Sequence, residues 1–217
     1  MPIQTKYPGI YSQPLQDTER DQQRFNAEVT VHLDHLGSQP SGNQLLDELT
    51  ALSNQRRHKL TICEAHPSRR GPTAEPVLSY HQLQRHPSLQ EYSQIKEVAG
   101  RQYALKKEDG RNEGSSVVVS WSPCQTSMGL DRDGYPTGPT GSNNDKVSLL
   151  AHELVHAKHM MAGSWKGSYD DPDDASTATG QEELRAVGLG DYAYSLTGKP
   201  SENSVRAEHG LPMRTRY

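Results

Sequence analysis

The chain has only two cysteines, Cys63 and Cys124, and a single phenylalanine, Phe25, in 217 residues. Two thiols are too few for a disulfide scaffold or a cysteine-built metal site, so both are expected to be free, ordinary thiols. Hydrophobic residues make up only 32% of the chain, which predicts that part of its length is not packed. No apolar run approaches a membrane span or the core of a signal peptide, so a soluble chain without a Sec leader is expected. A basic excess is missing too. The formal net charge is −4 and the pI about 6.2, which argues against nucleic acid and against binding to an anionic membrane as the main business. Pro2 stands where myristoylation needs glycine, and the Thr-Arg-Tyr ending is not a prenylation box. What remains has room for one domain with a real core and is too short for two large ones.

Residues 1–38 are rich in Gln, Pro, Ser and Thr, have no carboxylate until Asp17, and are expected to form a mostly disordered lead; a polar, acid-free start of this kind resembles the unprocessed secretion signals of type III effectors, which implies a secretion or translocation segment. Order is expected from about residue 39 onward. Ser41 would cap a helix through Leu45, Leu46, Leu49 and Leu52, and Lys59 to Glu64 reads as a short strand. A loop is expected from Ala65 to about Pro76, followed by an ambiguous region with helix around Leu89 to Val98. Ser116 to Trp121, β-branched and ended by Pro123, is the strongest strand signal, and its place suits either an edge strand that pairs with an extended substrate or an ordinary core strand. Cys124 to Asn144 reads as a loop rimming a cleft.

Reactive groups at a usable spacing occur in Lys146 to Met161, read as an amphipathic helix capped by Asn144 or Asp145 and ended near Gly163. Within it runs His-Glu-Leu-Val-His. His152 and His156, one helical turn apart, share a face on which two imidazoles can converge on one metal ion. Glu153 projects beside them as the general base for a water. This is the ligand pair and base of a zinc hydrolase.

A catalytic zinc takes three protein ligands, so a third is needed. A histidine ten positions after the first is excluded, because Ala162 stands there and His159 stands where that motif needs glycine. His159 shares the helical face but would strain a tetrahedron, and is read as a supporting or packing residue. Asp170, Asp171, Asp173 and Asp174 read as a solvated loop. Thr179 and Glu182 have capping-box spacing, which leaves Glu183 free to reach the metal from a second helix, 183 − 156 = 27 residues on.

The segments Ala151-His152-Glu153-Leu154-Val155-His156-Ala157 and Glu182-Glu183-Leu184-Arg185-Ala186-Val187-Gly188 resemble the paired motifs of clostridial neurotoxin light chains. That resemblance implies Glu183 as a zinc ligand with Glu182 behind it. From about Pro40 onward the chain is more closely similar to the NleD-type zinc metallopeptidase effectors, including Hop and Xop effectors of plant-pathogenic bacteria. The size, the histidine motif, Glu182-Glu183, Glu202-Asn203-Ser204-Val205-Arg206 and Gly210-Leu211-Pro212-Met213-Arg214-Thr215-Arg216-Tyr217 carry the likeness. It implies delivery by the type III secretion machinery into the host cell cytoplasm and cleavage of a host signalling protein, a mitogen-activated kinase in the case of the namesake.

The expected fold is therefore α+β and zincin-like: an active-site helix, a second Glu-bearing helix and a small sheet. The expected function is that of a secreted zinc-dependent endopeptidase of gluzincin type, with Zn2+ on His152, His156 and Glu183 and Glu153 as catalytic base. Arg206, Arg214, Arg216, Tyr192, Tyr194 and Tyr217 compete to stabilise the oxyanion. Near the end, Ser201 would cap a helix containing a Glu202–Arg206 pair. Two rival functions are a hydrolase acting on a non-peptide bond and a non-catalytic effector that binds a host protein and keeps a structural zinc.

Overall fold

A computed structural model describes the chain except at residues 67–70, 87–92, 111, 123–126, 141–142 and 169. Cys124 and Leu89 fall outside the described residues, whereas Cys63 is a free, partly buried thiol.

A five-stranded mixed sheet has the order β1 (Ile3–Gln4), β2 (Ile10–Gln13), β3 (Leu60–Glu64), β5 (Ser116–Trp121), β4 (Thr73–Val77). β2, β3 and β5 run parallel, and β1 and β4 close the two edges antiparallel. The register sets Ile10 beside Leu60 and Leu60 beside Val117, and likewise Ser12, Ile62 and Val119. These residues are buried, so a period-two pattern in each strand becomes one continuous face under the helices.

The segment 1–38 is not a disordered lead. It forms β1, β2 and α1 (Glu19–Gly37), whose N-cap Thr18 accepts a hydrogen bond from the Asp21 amide. Phe25, Val29, Leu33 and Leu36 form one stripe of α1 and are fully buried in the common core. The single phenylalanine is thus spent on tying the amino-terminal segment down. α2 (Pro40–Arg56) follows after a short turn, with Pro40 in its first turn and Gln39, not Ser41, at its N-cap. Ser41 instead meets the Glu208 carboxylate. The helices cross closely enough that a Cβ on Gly42 would stand 1.9 Å from the Leu36 carbonyl oxygen.

Three further expectations change. Of its two readings the strand Ser116 to Trp121 takes the core one, internal between β3 and β4, and the sheet edge beside the active-site helix is β4, where a loop is expected. Pro76 lies within β4, a position an edge strand tolerates because its outer N–H row has no strand to bond. α3 (Tyr80–Arg85) and α4 (Ser93–Ala104) fill the ambiguous region, and Gly100 lets α4 approach the Pro76 carbonyl. The 124–144 segment contains a hairpin, β6 (Ser127–Leu130) and β7 (Pro136–Thr140). At its turn Gly134, at φ +81°, lies against the Met213 and Thr215 backbone.

α5 (Asn143–Met161) starts three residues before the expected position, so Asn144 and Asp145 lie inside it and bind outward to His209 and Arg206. It is not amphipathic in place: from Val147 to Met161 every residue except the half-buried Leu149 is buried. α6 (Ala178–Val187), α7 (Tyr194–Thr197) and α8 (Glu202–Glu208) complete the chain. No helix among the described residues is long and apolar enough to cross a membrane.

Candidate metal centre and catalytic cleft

α5 brings His152 and His156 to one side, where their Nε2 atoms stand 3.1 Å apart. Glu183, on α6, sends Oε2 to 3.1 Å from each of them. These three side chains are the candidate metal-holding group among the described residues. A tetrahedral ion with ligand bonds of about 2.0–2.1 Å spaces its donors by roughly 3.3 Å, close to this triangle.

The opposite nitrogens explain why the Nε2 lone pairs converge. His152 Nδ1 lies 3.0 Å from Glu202 Oε2, and His156 Nδ1 lies 3.5 Å from Glu182 Oε1. At His152 the hydrogen-bonded carboxylate holds the proton on Nδ1 and leaves Nε2 as a lone-pair donor; at His156 the Glu182 carboxylate stands beyond hydrogen-bond geometry and favours the same tautomer by its charge. Three lone-pair atoms within 3.1 Å repel one another unless a cation or proton lies among them. The donor set therefore fits a zinc-type metal.

In the metal-free chain, protons do that work. Burial pulls the His152 pKa down, but hydrogen bonds to Glu183 and Glu202 outweigh it and lift it to about 9. His156 is raised well above its ordinary value against the same burial, by Glu182 and Glu183. Burial would raise the Glu183 carboxyl, yet the two histidines hold it well below the usual carboxylate range. Glu153 behaves differently. It is buried beside the histidines, and desolvation pushes its carboxyl up despite their charge.

The expected capping box is not formed. α6 is capped two residues earlier, by Thr177 accepting from the Gly180 amide. Thr179 bonds Asp170 instead, which gives one aspartate of the acidic run a structural task. Glu182 is released and almost fully buried: its Oε1 lies 2.5 Å from His159 Nδ1, and its Oε2 accepts from the Lys166 amide at 3.2 Å. His159 is kept neutral by burial, its pKa lowered to about 3, so it donates to Glu182 as a support and does not reach the metal-holding triangle.

Ser201 caps α8 as expected, and the Glu202–Arg206 pair exists at 3.5 Å. The same Glu202 also reaches His152, a role that its helical spacing does not reveal. Arg214 Nη1 lies 3.1 Å from Glu202 Oε2 and completes this support. Of the six candidates for oxyanion stabilisation, Arg206 is buried on Ser148, Asp145, Glu202 and the Pro212 carbonyl. Arg216 lies over the Tyr135 ring, Tyr192 bonds Lys166 and Gln181, and Tyr194 is exposed. Tyr217 stacks on His152, with ring centroids 6.2 Å apart and planes 18° from parallel. Burial, then the Glu183 carboxylate, raises its hydroxyl pKa and keeps it protonated.

His152, Glu153, His156, Glu183 and Tyr217 open into a cleft of about 220 Å³, walled by Pro72, Thr73 and Ala74 at the start of β4 and by Met160 and Trp165.

No curated protein matches the chain. Among solved structures, the catalytic domain of Clostridium botulinum neurotoxin serotype F matches with TM-score 0.49 and 15% identity, over 88% of this chain and 48% of that one. The botulinum neurotoxin type G light chain matches with TM-score 0.44 and 12% identity, over 93% of this chain and 63% of that one. The chain thus spans about half to two thirds of the structures it resembles. A family model described as "Effector protein" matches residues 14–217, nearly the whole chain, and the chain belongs to that family, Peptidase_M91.

Proposed function

We propose that the protein is a zinc-dependent endopeptidase of gluzincin type, delivered into a host cell, where it cuts a signalling protein. The observation that carries this reading is the triangle of His152 Nε2, His156 Nε2 and Glu183 Oε2, each 3.1 Å from the others beside a buried Glu153. A zinc ion there would supply Lewis acidity, polarising a scissile carbonyl and acidifying a water.

The chain's own residues do the rest. Glu153, with its carboxyl raised by burial, takes the proton from the attacking water and passes it to the leaving amine. Tyr217, held protonated, donates its O–H to the developing oxyanion, and Arg214 tethers the segment that carries it through Glu202. Glu202 and Glu182 fix the two imidazoles. The start of edge strand β4 walls the cleft, so an extended substrate would pair there, and not on Ser116 to Trp121 as the sequence suggests. The family membership supports a peptidase effector. The mitogen-activated kinases are the first substrates to try, on the resemblance to NleD-type effectors.

The test is incubation of the zinc-loaded protein with host mitogen-activated kinases, with mass spectrometry of the fragments. Cleavage should occur at one site, stop with a chelator, and be absent in Glu153→Gln, which should keep its metal. A Glu153→Gln variant that cuts at the wild-type rate overturns the mechanism.

A further inference from the structure

A second cavity, of about 390 Å³, is lined by His159 and Arg185, both of which contact Glu182 of the cleft. Its wall carries Lys106, Lys158, Lys166, Arg185 and Lys199 against a single carboxylate, Asp191. Five cations less one anion leave a lining charge of +4, in a chain whose total is −4. The five come from five separate places: the segment just after α4, the last turn of α5, the loop before α6, α6 itself and the loop before α8. Local sequence therefore does not explain their meeting; the fold gathers them.

Some of this charge is already answered, and some is not. Lys158, buried on α5, lies 3.1 Å from Glu48 of α2. Arg185 donates to the Ser164 carbonyl at 2.9 Å and reaches Glu182 at 3.4 Å. Lys166 donates to the Tyr192 hydroxyl, a neutral partner. Lys106 and Lys199, both exposed at the mouth, have no ion-pair partner among the described residues. Lys106, Lys166 and Lys199 thus share one concavity with Asp191 as the only carboxylate of its lining. Their mutual repulsion is reduced when an anion is shared among them.

We infer that this cavity binds a small anion carrying at least two phosphate groups. The size suits a compact ligand, and ammonium groups spread around a concave wall match several phosphates better than one carboxylate. Tyr192, Ser164 and Thr197 add hydroxyl groups to the same wall. His159 lines the cavity and bonds Glu182, so a bound anion would sit against the shell that supports His156. The inference does not depend on the peptidase reading.

The experiment is calorimetric titration of the full chain, loaded with zinc, with inorganic tripolyphosphate at about 0.15 M salt. It is repeated with ATP as a nucleotide source of the same chemistry, and with inorganic phosphate. Saturable one-to-one binding of tripolyphosphate is expected, at least about tenfold tighter than inorganic phosphate and weakening as salt is raised. The variant K106A/K199A, which alters only exposed side chains, should bind about tenfold or more weakly. Any withdrawal of metal by the probe is common to both proteins, so the difference between them isolates the cavity. ATP binding that the same variant loses would name nucleotides as a source, and no ATP binding would leave the free polyphosphate. Absence of saturable tripolyphosphate binding, or equal binding by the variant, overturns the inference.

Discussion

His152 is held from both sides, by Glu183 at Nε2 and by Glu202 at Nδ1, so each nitrogen has one task. Replacing Glu202 with Gln should keep the fold but weaken zinc binding by about 10–100-fold, with activity restored by excess zinc. Competition with a chromophoric chelator measures it, and unchanged affinity would remove Glu202 from the account. Tyr217→Phe should lower kcat by about 10²–10³ and leave KM nearly unchanged, if its hydroxyl serves the transition state. The pH dependence follows from the His152 pKa of about 9 in the metal-free chain. Its native proton stabilises the metal-free fold below the ordinary value near 6.5, and that contribution is lost as pH rises through about 9. Metal must displace the same proton, so zinc affinity should rise from pH 6.5 towards 9, with protons released on binding. Calorimetry in buffers of different ionisation enthalpy counts them. The His152, Glu153 and His156 cluster was legible because helical geometry fixes residues four apart, whatever surrounds them. The reach of Glu202 to His152, and the choice of Tyr217 among six oxyanion candidates, are not legible, since the two meet His152 across 50 and 65 positions of chain, where spacing carries no information.

The two elements that change most between sequence and structure are α1 and β4. Phe25, Val29, Leu33 and Leu36 do recur at helical spacing, but one thin stripe among glutamines and acids reads as polar chain until α2 and the sheet cover it. Phe25→Ala should cost about 3–5 kcal/mol by denaturant unfolding. A loss below about 1 kcal/mol would mean that the amino-terminal segment is not part of the folding unit. β4 is short, contains Glu75 and Pro76, and gains its strand character only from pairing with β5. β3, β5 and α2, by contrast, are patterned strongly enough to be read alone. α5 was located correctly but expected to have a wet face; that face is covered by α6 and α8, which sequence periodicity does not anticipate.

At the scale of the molecule, the chain covers histidines outside the metal-holding triangle, His58 fully and His32 in part. Burial lowers the pKa of His58 and of His32, and each lies near a backbone carbonyl, of Glu113 and Glu28 respectively. The unfolded chain takes up protons at these positions near pH 6.5 and the folded chain does so only at lower pH. Stability is therefore present above pH 6.5 and lost as pH falls through the folded values. The zinc-loaded protein should show a melting temperature that declines between pH 7 and 5, with a shallower slope in His58→Gln. This α+β chain places one long buried helix at its centre and sets against it the candidate ligand Glu183 of α6, Glu202 of α8 and Tyr217 of the carboxy-terminal segment. The most direct measurement of the central claim is a crystal structure of the zinc-loaded protein with anomalous data at the zinc edge. The account predicts one peak bonded to His152 Nε2, His156 Nε2 and the Glu183 carboxylate, with a fourth position open to water beside Glu153. A peak elsewhere, or one closed by four protein ligands, would contradict it.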